Sequence, residues 1–353
     1  MNKFAVFSGF LGSGKTSTMI ALTKYCTERY AKASMISNDL GSQSLADNKF
    51  ALLSGCSAGE LTGGCICYQT ENLVARLSRL FDDEGCELVI SDIPGFGVGA
   101  LEHVYHTLAQ HFPARCALAP FTVLVEPRTL DILREPSGDD IEYILRTQLV
   151  EADLIVLNKC DLLTNSEREA ALAFLRENFP AAQTLAISAL TGEGIDELSL
   201  ALLRGSASMR RPDIGYGGES FGKAMGKISE FYLQYYATVC CNDFDGSAYL
   251  LRLAEDIRSA VAAIGCEIPH LKLLAWEPEG DFAKADLIGI SRAVELPKSF
   301  AKPCTELGVM LNASAVCPPA ELDRIISAAV DSVSRSFNLD LIVYGKESFG
   351  MGN

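Results

Sequence analysis

A glycine-rich octapeptide near the N-terminus constrains this chain most. Residues 9–16 read Gly-Phe-Leu-Gly-Ser-Gly-Lys-Thr and fit the pattern G-x-x-x-x-G-K-[ST]. The octapeptide lies between a predicted strand, residues 4–8, and a predicted helix, residues 15–29, which is the context that this motif requires. Small residues let successive backbone N–H groups curl around a phosphate at the positive end of the helix dipole. The sequence therefore predicts an α/β domain that binds a nucleotide phosphate at this loop.

The octapeptide also predicts which side chains contact the phosphates. Lys15 is expected to reach the β- and γ-phosphates, and Thr16 to offer its hydroxyl to Mg²⁺. The predicted phosphate-binding residues are Gly9, Gly12, Ser13, Gly14, Lys15, Thr16 and Ser17.

A second motif indicates which base the nucleotide carries. A predicted strand, residues 154–157, leads into Asn158-Lys159-Cys160-Asp161, an N-K-x-D tetrad. The Asp161 carboxylate can accept hydrogen bonds from both N1–H and N2–H₂ of guanine, whereas adenine presents no such pair of donors. The predicted ligands are therefore GTP and GDP. The predicted guanine-binding residues are Asn158, Lys159, Asp161, Ser188 and Ala189, the last two because they follow the last predicted strand of the domain, where a main-chain N–H is expected to meet the guanine carbonyl.

Two acidic residues at strand ends are candidates for Mg²⁺ and the γ-phosphate. The predicted strand at 88–92 ends at Asp92, which would hold Mg²⁺ directly or through water, and the N–H of Gly95 would meet the γ-phosphate. The alternative is an ordinary strand followed by a turn. Phe96 follows Gly95 where Ras-like proteins carry a water-orienting glutamine, so intrinsic hydrolysis is expected to be slow. The predicted catalytic residues are Lys15, Thr16, Asp39 and Asp92.

A Cys-x-Cys sequence lies within a glycine-rich stretch, residues 59–68. The thiols of Cys65 and Cys67 can reach a common soft cation, and thiolates suit Zn²⁺, Cu(I) or a similar transition metal. Two thiols supply only two ligands, and Cys56 is the nearest candidate for a third. The alternative is a pair of small apolar residues in a tight loop.

Taken together, these motifs resemble those of CobW-like GTPases, metal-trafficking relatives of the urease and hydrogenase accessory GTPases. The resemblance covers about residues 1–200 and is carried by the octapeptide and by residues 38–41, 60–67 and 148–162. It implies a GTP-dependent metallochaperone whose thiols bind metal and whose nucleotide state is coupled to metal affinity. It also implies a client, either a metalloprotein or a corrinoid-type protein.

The chain departs from the family pattern at several of these positions. Tyr68 stands where the family usually continues to a further cysteine, and Asp39 and Asp92 stand where glutamate is common. Pro94 replaces a usual serine. A carboxylate that is one methylene shorter reaches about 1.5 Å less far, so the contacts to Mg²⁺ are expected to pass through water.

The pattern of the whole chain predicts two domains. Residues 1–204 form a doubly wound, mostly parallel α/β nucleotide-binding domain, with helices that include 70–81 and 100–111. Residues 205–226 lack an apolar period and read as a linker. Residues 227–353 follow the order strand, helix, several strands, helix, strand, with one of the middle strands predicted at 285–291. This order indicates a smaller α+β domain of the ferredoxin-like kind.

Composition excludes other classes of protein. The chain has 30 Lys and Arg against 45 Asp and Glu, a net charge of −15, so it repels nucleic acid over most of its surface. No apolar run reaches the ~18 residues that a membrane span requires. The 12 cysteines show no repeating spacing, which favours reduced thiols in the cytoplasm.

Several alternatives stay open from the sequence. A regulatory GTPase without metal cargo would use the second domain to dock a partner, whereas a small-molecule kinase would have no need of N-K-x-D. A nucleotide-dependent homodimer is a further option. His103 and His106, spaced to share one helix face, would be a metal pair or exposed polar residues. Cys240 and Cys241 are expected to be buried thiols, the alternatives being a vicinal disulfide or a pair of metal ligands.

Overall fold

The computed structural model describes residues 2–112, 115–135, 140–214, 222–223, 225–239 and 242–351. The chain divides into two compact units. The first comprises residues 1–40 and 54–221, and the second comprises residues 41–53 and 222–353. Cys240, Cys241 and, in the predicted linker, residues 215–221 and 224 lie outside the described residues.

A parallel eight-stranded sheet forms the centre of the first unit. Its strands are β1 (Lys3–Ser8), β2 (Ala33–Asn38), β3 (Ala58–Leu61), β4 (Leu88–Asp92), β5 (Ala117–Leu118), β6 (Thr122–Val125), β7 (Leu154–Leu157) and β8 (Gln183–Ala186). The helices of this part of the chain are α1 (Lys15–Arg29), α2 (Ala46–Leu53, which belongs to the second unit), α3 (Thr70–Ser78), α4 (Thr107–His111), α5 (Pro127–Arg134), α6 (Asp140–Glu151), α7 (Asn165–Asn178) and α8 (Ile195–Arg204).

The strand order places the predicted phosphate loop at the point where the sheet changes direction. The order is β3-β2-β4-β1-β6-β7-β8, with β5 beside β1, so the chain builds outward from β1 to both edges. In open parallel sheets, ligands bind at the carboxyl ends of the strands at such a switch point. The strands are almost continuously apolar and buried, as both faces of such a sheet are covered.

Two predicted helices of the first unit are π-helical over part of their length. The prediction at 70–81 becomes α3 followed by a π-helical turn, Arg79–Asp83, and the prediction at 100–111 becomes a π-helical segment, Leu101–His106, followed by α4. Apolar spacing cannot distinguish the two forms here, because the side chains that face the core are still buried. These are Leu101, Val104, Tyr105 and Leu108.

An antiparallel six-stranded sheet forms the second unit. Its strands are β9 (Ser229–Val239), β10 (His270–Trp276), β11 (Phe282–Leu287), β12 (Glu295–Lys298), β13 (Glu306–Ala315) and β14 (Leu339–Gly350), and its long helices are α9 (Gly246–Ala263) and α10 (Pro319–Ser336). The strand predicted at 285–291 is thus displaced toward the N-terminus, since Gly289 forms a turn with φ +86°.

The topology of this sheet confirms the predicted α+β character. The order β10-β13-β9-β14, with α9 after β9 and α10 after β13, is that of a ferredoxin-like fold. The strands β11 and β12 extend the β10 edge. The helices pack on one face of the sheet to form a core that includes Leu253, Ile257, Leu273 and Ile326.

The segment 41–53 interrupts the first unit in sequence but belongs to the second unit in the structure. Ala46 of α2 packs with Leu274 and Met310, which point away from the face that carries α9 and α10. Asp47 forms an ion pair of 2.5 Å with Lys272. The sequence contains no local signal for this arrangement, because the partners are more than 200 positions apart.

Candidate functional site

The predicted phosphate loop connects β1 to α1 in the described structure. Gly14 is the residue that precedes α1 and has φ 90°, and a Cβ at this position would overlap the Asn158 side-chain amide. Lys15 Nζ donates to Gly9 O at 2.6 Å. The Ser13 hydroxyl is buried and has no hydrogen-bond partner among the described residues. A left-handed turn, a helix N-terminus, a lysine and an unsatisfied hydroxyl suit a bound phosphate group.

The N-K-x-D tetrad meets the phosphate loop through one asparagine. Asn158 Nδ2 donates to Ser13 O at 2.8 Å, and Ala189 N donates to Asn158 Oδ1 at 3.1 Å. The structure therefore brings the phosphate loop, the tetrad and the segment at Ser188 together. The expectation that a main-chain N–H of this segment meets the guanine carbonyl stays a prediction. Asp161 is exposed, with its carboxylate accessible to a base.

A buried carboxylate that the sequence analysis missed holds the lysine of the tetrad. Lys159 Nζ lies 2.7 Å from Glu126 Oε2, and Lys159 has left-handed backbone geometry with φ 61°. Glu126 follows directly after β6, in the same position as Asn158 after the neighbouring strand β7. That parallel placement at one sheet edge is the signal that could have found it.

The acidic residues predicted to bind Mg²⁺ lie at the ends of β2 and β4. Asp92 is buried at the end of β4 and pairs in register with Phe7 of β1, just before the phosphate loop. Asp39 follows β2, and its Oδ1 accepts from Leu40 N at 2.8 Å. Thr16, Asp39 and Asp92 carry oxygen donors, the kind that Mg²⁺ prefers, and their binding of Mg²⁺ stays a prediction.

The segment after Asp92 lies against the phosphate loop. The Gly95 backbone approaches Leu11 so closely that a Cβ would overlap the leucine side chain. The rings of Phe10 and Phe96 pack edge to face with their centroids 5.3 Å apart. Phe96 is therefore buried and holds no polar group toward the loop.

Two residues of α6, absent from the sequence prediction, hold this segment. Gln148 Nε2 donates to Gly95 O at 3.0 Å and to Gly97 O at 2.9 Å. Glu151 accepts from Gly99 N at 2.7 Å and from Leu101 N at 3.4 Å. Burial raises the pKa of Glu151 to about 7, although these N–H groups and the charge of Arg210 oppose the rise.

The structure brings Cys65 and Cys67 together in the turn that follows β3. Their sulfurs lie 2.7 Å apart, within a hydrogen bond, and Cys67 N donates to Cys65 Sγ at 3.3 Å. The hydrogen bond between the two thiols lowers the pKa of Cys65, while the same bond and burial raise the pKa of Cys67. Two sulfurs this close together can both contact one soft cation.

The other metal candidates do not join this pair. Cys56 is buried and its thiol contacts Ile20 O at 3.7 Å, on the side of α1. His103 packs against the Tyr68 ring, with the centroids 5.7 Å apart, and His106 lies 4.0 Å from Glu102. Among the described residues, no group of three or more His, Cys, Asp or Glu side chains could hold a metal ion. Cys56 is thus not placed to complete a three-thiolate site.

These features define the class of protein. A phosphate loop after β1, an N-K-x-D tetrad after β7 and an acidic end of β4 share one edge of a parallel sheet, as in P-loop nucleotide-binding domains. The family model for the CobW/HypB/UreG nucleotide-binding domain matches residues 3–185 of the chain. The protein therefore belongs to the CobW/HypB/UreG family, and the resemblance stated from the sequence is confirmed.

Known proteins show how far this similarity extends. The zinc chaperone YeiR of Escherichia coli is 27% identical over 180 residues, which cover 50% of this chain and 52% of YeiR. The chain thus matches about half the length of that relative. HypB from Helicobacter pylori in complex with nickel has 17% identity and a TM-score of 0.42, covering 57% of this chain and 85% of HypB. Zn(II)-bound YjiA GTPase from E. coli has 17% identity and a TM-score of 0.40, covering 93% and 98%.

None of the described helices is both long and apolar enough to cross a membrane.

Proposed function

We propose that the protein binds and hydrolyses GTP and couples its nucleotide state to a thiophilic metal held by Cys65 and Cys67, for delivery to a client protein. The observation that carries the proposal is the position of the thiol pair. The turn with both cysteines follows β3, which pairs in register with β2 from Met35 to Asn38. The thiols therefore lie near the sheet edge at which Asp39 and Asp92 would meet Mg²⁺ and the γ-phosphate.

Residues of the phosphate loop and of the neighbouring strand ends would have different roles in GTP hydrolysis. Lys15 would balance the negative charge that develops on the transferred phosphoryl group, and the Gly95 N–H would donate to the γ-phosphate. Thr16, Asp39 and Asp92 would hold Mg²⁺, which neutralises charge on the phosphates when bound. Phe96 is 2% exposed and packs on Phe10, so it positions no attacking water. Intrinsic turnover should therefore be slow.

An incomplete metal site suits delivery better than storage. Structural Zn²⁺ sites have four protein ligands, whereas the described residues supply two thiols at one point. The open coordination positions leave room for ligands of a client, a metalloprotein or a protein that carries a corrinoid-type cofactor. Zn²⁺ is the first ion to test because the relative YeiR is named a zinc chaperone.

The state of the cysteines fits a reducing compartment. Ten cysteines of the described residues are free, and most are buried. Burial raises the pKa of several of them, including Cys26, Cys116 and Cys317, each to about 11. Such buried thiols are inert as nucleophiles and as metal ligands. We infer a cytoplasmic location from this pattern.

The metal proposal is tested by titrating reduced, tag-free protein with Zn²⁺ in the presence of a chromophoric chelator. Wild type should bind one equivalent with an affinity that the Cys65→Ser, Cys67→Ser double variant loses by at least about 100-fold, because both thiolates are removed. The matched control is Cys56→Ser, which removes a nearby thiol outside the pair and should bind as wild type does. Equal binding by the double variant would contradict the proposal.

One observation favours a second function, a regulatory GTPase that docks a partner without metal cargo. The segment 41–53, which follows directly after Asp39 and Leu40 in the chain, is bound by the sheet of the second unit. A nucleotide-dependent change at Asp39 would reach that segment through the chain itself. Absence of metal binding together with GTP-dependent capture of a partner would favour this function.

A further inference from the structure

The side chain of Asn38 holds the turn that carries the thiols. Asn38 is the last residue of β2 and is 4% exposed. Its Nδ2 donates to Leu61 O at 2.9 Å and to Gly64 O at 2.8 Å, and its Oδ1 accepts from Ile66 N at 2.9 Å. The amide thus uses both donor hydrogens and one acceptor position on the segment 61–66. Ile66 is the residue between the two cysteines.

The main chain of the same residue contacts the carboxylate predicted to meet Mg²⁺. Asn38 N donates to Asp92 Oδ1 at 2.9 Å, a buried hydrogen bond to a charged acceptor. Bonds of this kind are roughly twice as strong as neutral ones. One residue therefore binds Asp92 through its backbone and the thiol turn through its side chain.

A second contact joins the turn to the same strand end. Gly64 N donates to Asp39 O at 3.4 Å, so the residue before Cys65 is held from both Asn38 and Asp39. A shift of either residue as nucleotide and Mg²⁺ bind changes the hydrogen bonds that define the turn. Within a buried, low-dielectric site an unmade hydrogen bond is unfavourable, so the turn follows the strand end.

We propose that Asn38 is the positioning residue through which the nucleotide state at Asp92 sets the geometry of the Cys65–Cys67 pair. The inference rests on the GTP binding of the proposed function and is independent of metal cargo. The role requires the carboxamide: alanine would remove all three side-chain hydrogen bonds, and aspartate would keep the acceptor for Ile66 N but lose both donors.

The neighbouring residue provides a matched control. Ser37 precedes Asn38 in β2 and is also buried, but its hydroxyl has no hydrogen-bond partner among the described residues. Ser37→Ala therefore removes a buried polar group of the same strand without touching the thiol turn.

The test measures the alkylation rate of Cys65 by iodoacetamide, with each peptide followed by mass spectrometry, in metal-chelated protein with Mg²⁺. Rates with GDP and with a non-hydrolysable GTP analogue are compared in wild type, Asn38→Ala and Ser37→Ala. We expect the two nucleotides to give rates that differ at least about fivefold in wild type and in Ser37→Ala, the lower bound of a typical coupling. In Asn38→Ala the ratio should fall below about 2.

Two outcomes overturn the inference: an Asn38→Ala variant that keeps the wild-type ratio, or a wild type whose rates do not depend on the nucleotide. GDP affinity and the circular dichroism spectrum check that each variant is folded. If Asn38→Ala is not folded, Asn38→Asp takes its place with the same expected loss. Because this assay contains no Zn²⁺, a wild type that fails to bind Zn²⁺ contradicts the metallochaperone proposal alone.

Discussion

The Asn158 side-chain amide donates to the Ser13 carbonyl at 2.8 Å, so the tetrad that would read the base and the loop that would hold the phosphates share a direct contact. The same amide accepts from Ala189 N at 3.1 Å. Asn158 is 2% exposed and joins the two segments from within the protein, whereas Asp161 is exposed and accessible to a base. This division of roles leads to a prediction for each end of the nucleotide.

Guanine selectivity should depend on Asp161. Two hydrogen bonds from guanine to its carboxylate should give wild type a preference for GTP over ATP of roughly 10⁴-fold. Asp161→Asn should lose GTP affinity and gain xanthine nucleotide affinity, since xanthine presents an acceptor where guanine has N2–H₂. Calorimetric titration measures both, with the exposed Asp83→Asn as the matched control. Equal affinities of wild type for ATP and GTP would rule out the guanine assignment.

Hydrolysis should require Lys15 and be slow. Lys15→Ala should abolish phosphate release, because no other charge of the loop replaces the ammonium group near the transferred phosphoryl. The control is Lys24→Ala, an exposed lysine of the same helix. Wild-type turnover measured by phosphate release should be on the order of minutes or longer. A rate near ~10 s⁻¹, a typical enzyme turnover, would show that Phe96 does not limit the reaction.

The stability contribution of Glu151 should depend on pH. Burial raises its pKa from an ordinary value of 4.5 to about 7 in the folded state. The folded protein therefore holds a proton that the unfolded chain has lost, and stability contributed by this residue falls as pH rises between these values. In urea unfolding, the free energy of unfolding of Glu151→Gln relative to that of wild type should rise by up to about 3 kcal/mol between pH 4.5 and pH 8.

The control for this series is Glu169→Gln, an exposed glutamate of α7. Its stability difference from wild type should stay constant over the same range of pH. A difference for Glu151→Gln that also stays constant would show that the carboxyl group ionises freely in the folded protein.

The ion pair between Asp47 and Lys272 should hold the segment 41–53 on the second unit. Both side chains are largely buried and lie 2.5 Å apart, so Lys272→Met removes the ammonium group of this ion pair. The free energy of unfolding of Lys272→Met should be lower than that of wild type by about 2 kcal/mol. Hydrogen exchange should show faster exchange in α2 than in wild type, and Lys302→Met, an exposed lysine, should show no change. Unaltered exchange in α2 for Lys272→Met would contradict this role.

The sequence predicted those features that local chemistry determines. The phosphate loop and the N-K-x-D tetrad were recognisable because their glycines, lysines and carboxylates act at fixed spacing on a strand end. The ferredoxin-like order of the second unit followed from the alternation of periods, although β11 was predicted too far toward the C-terminus and β12 was not predicted. Cys65 and Cys67 were found because a two-residue spacing keeps their thiols within reach.

Other parts of the site depend on contacts between distant segments. Glu151 holds Gly99 across 52 positions, and burial rather than its neighbours in sequence shifts its pKa. Cys56 is close to the pair in sequence but lies at the opposite end of β3, where its thiol contacts Ile20 O of α1. The ferredoxin-like sheet binds residues 41–53 through side chains such as Lys272, which no local pattern links to Asp47.

The central claim, that nucleotide state controls a metal held by Cys65 and Cys67, is tested most directly by the Zn²⁺ affinity of one preparation loaded with GDP or with a non-hydrolysable GTP analogue. A coupling free energy of about 1–3 kcal/mol predicts affinities that differ 5- to 150-fold, with the reciprocal effect of Zn²⁺ on nucleotide affinity. The Cys65→Ser, Cys67→Ser variant should bind GTP as wild type does without metal and lose the effect of Zn²⁺. Equal Zn²⁺ affinity in the two nucleotide states of wild type would contradict the claim.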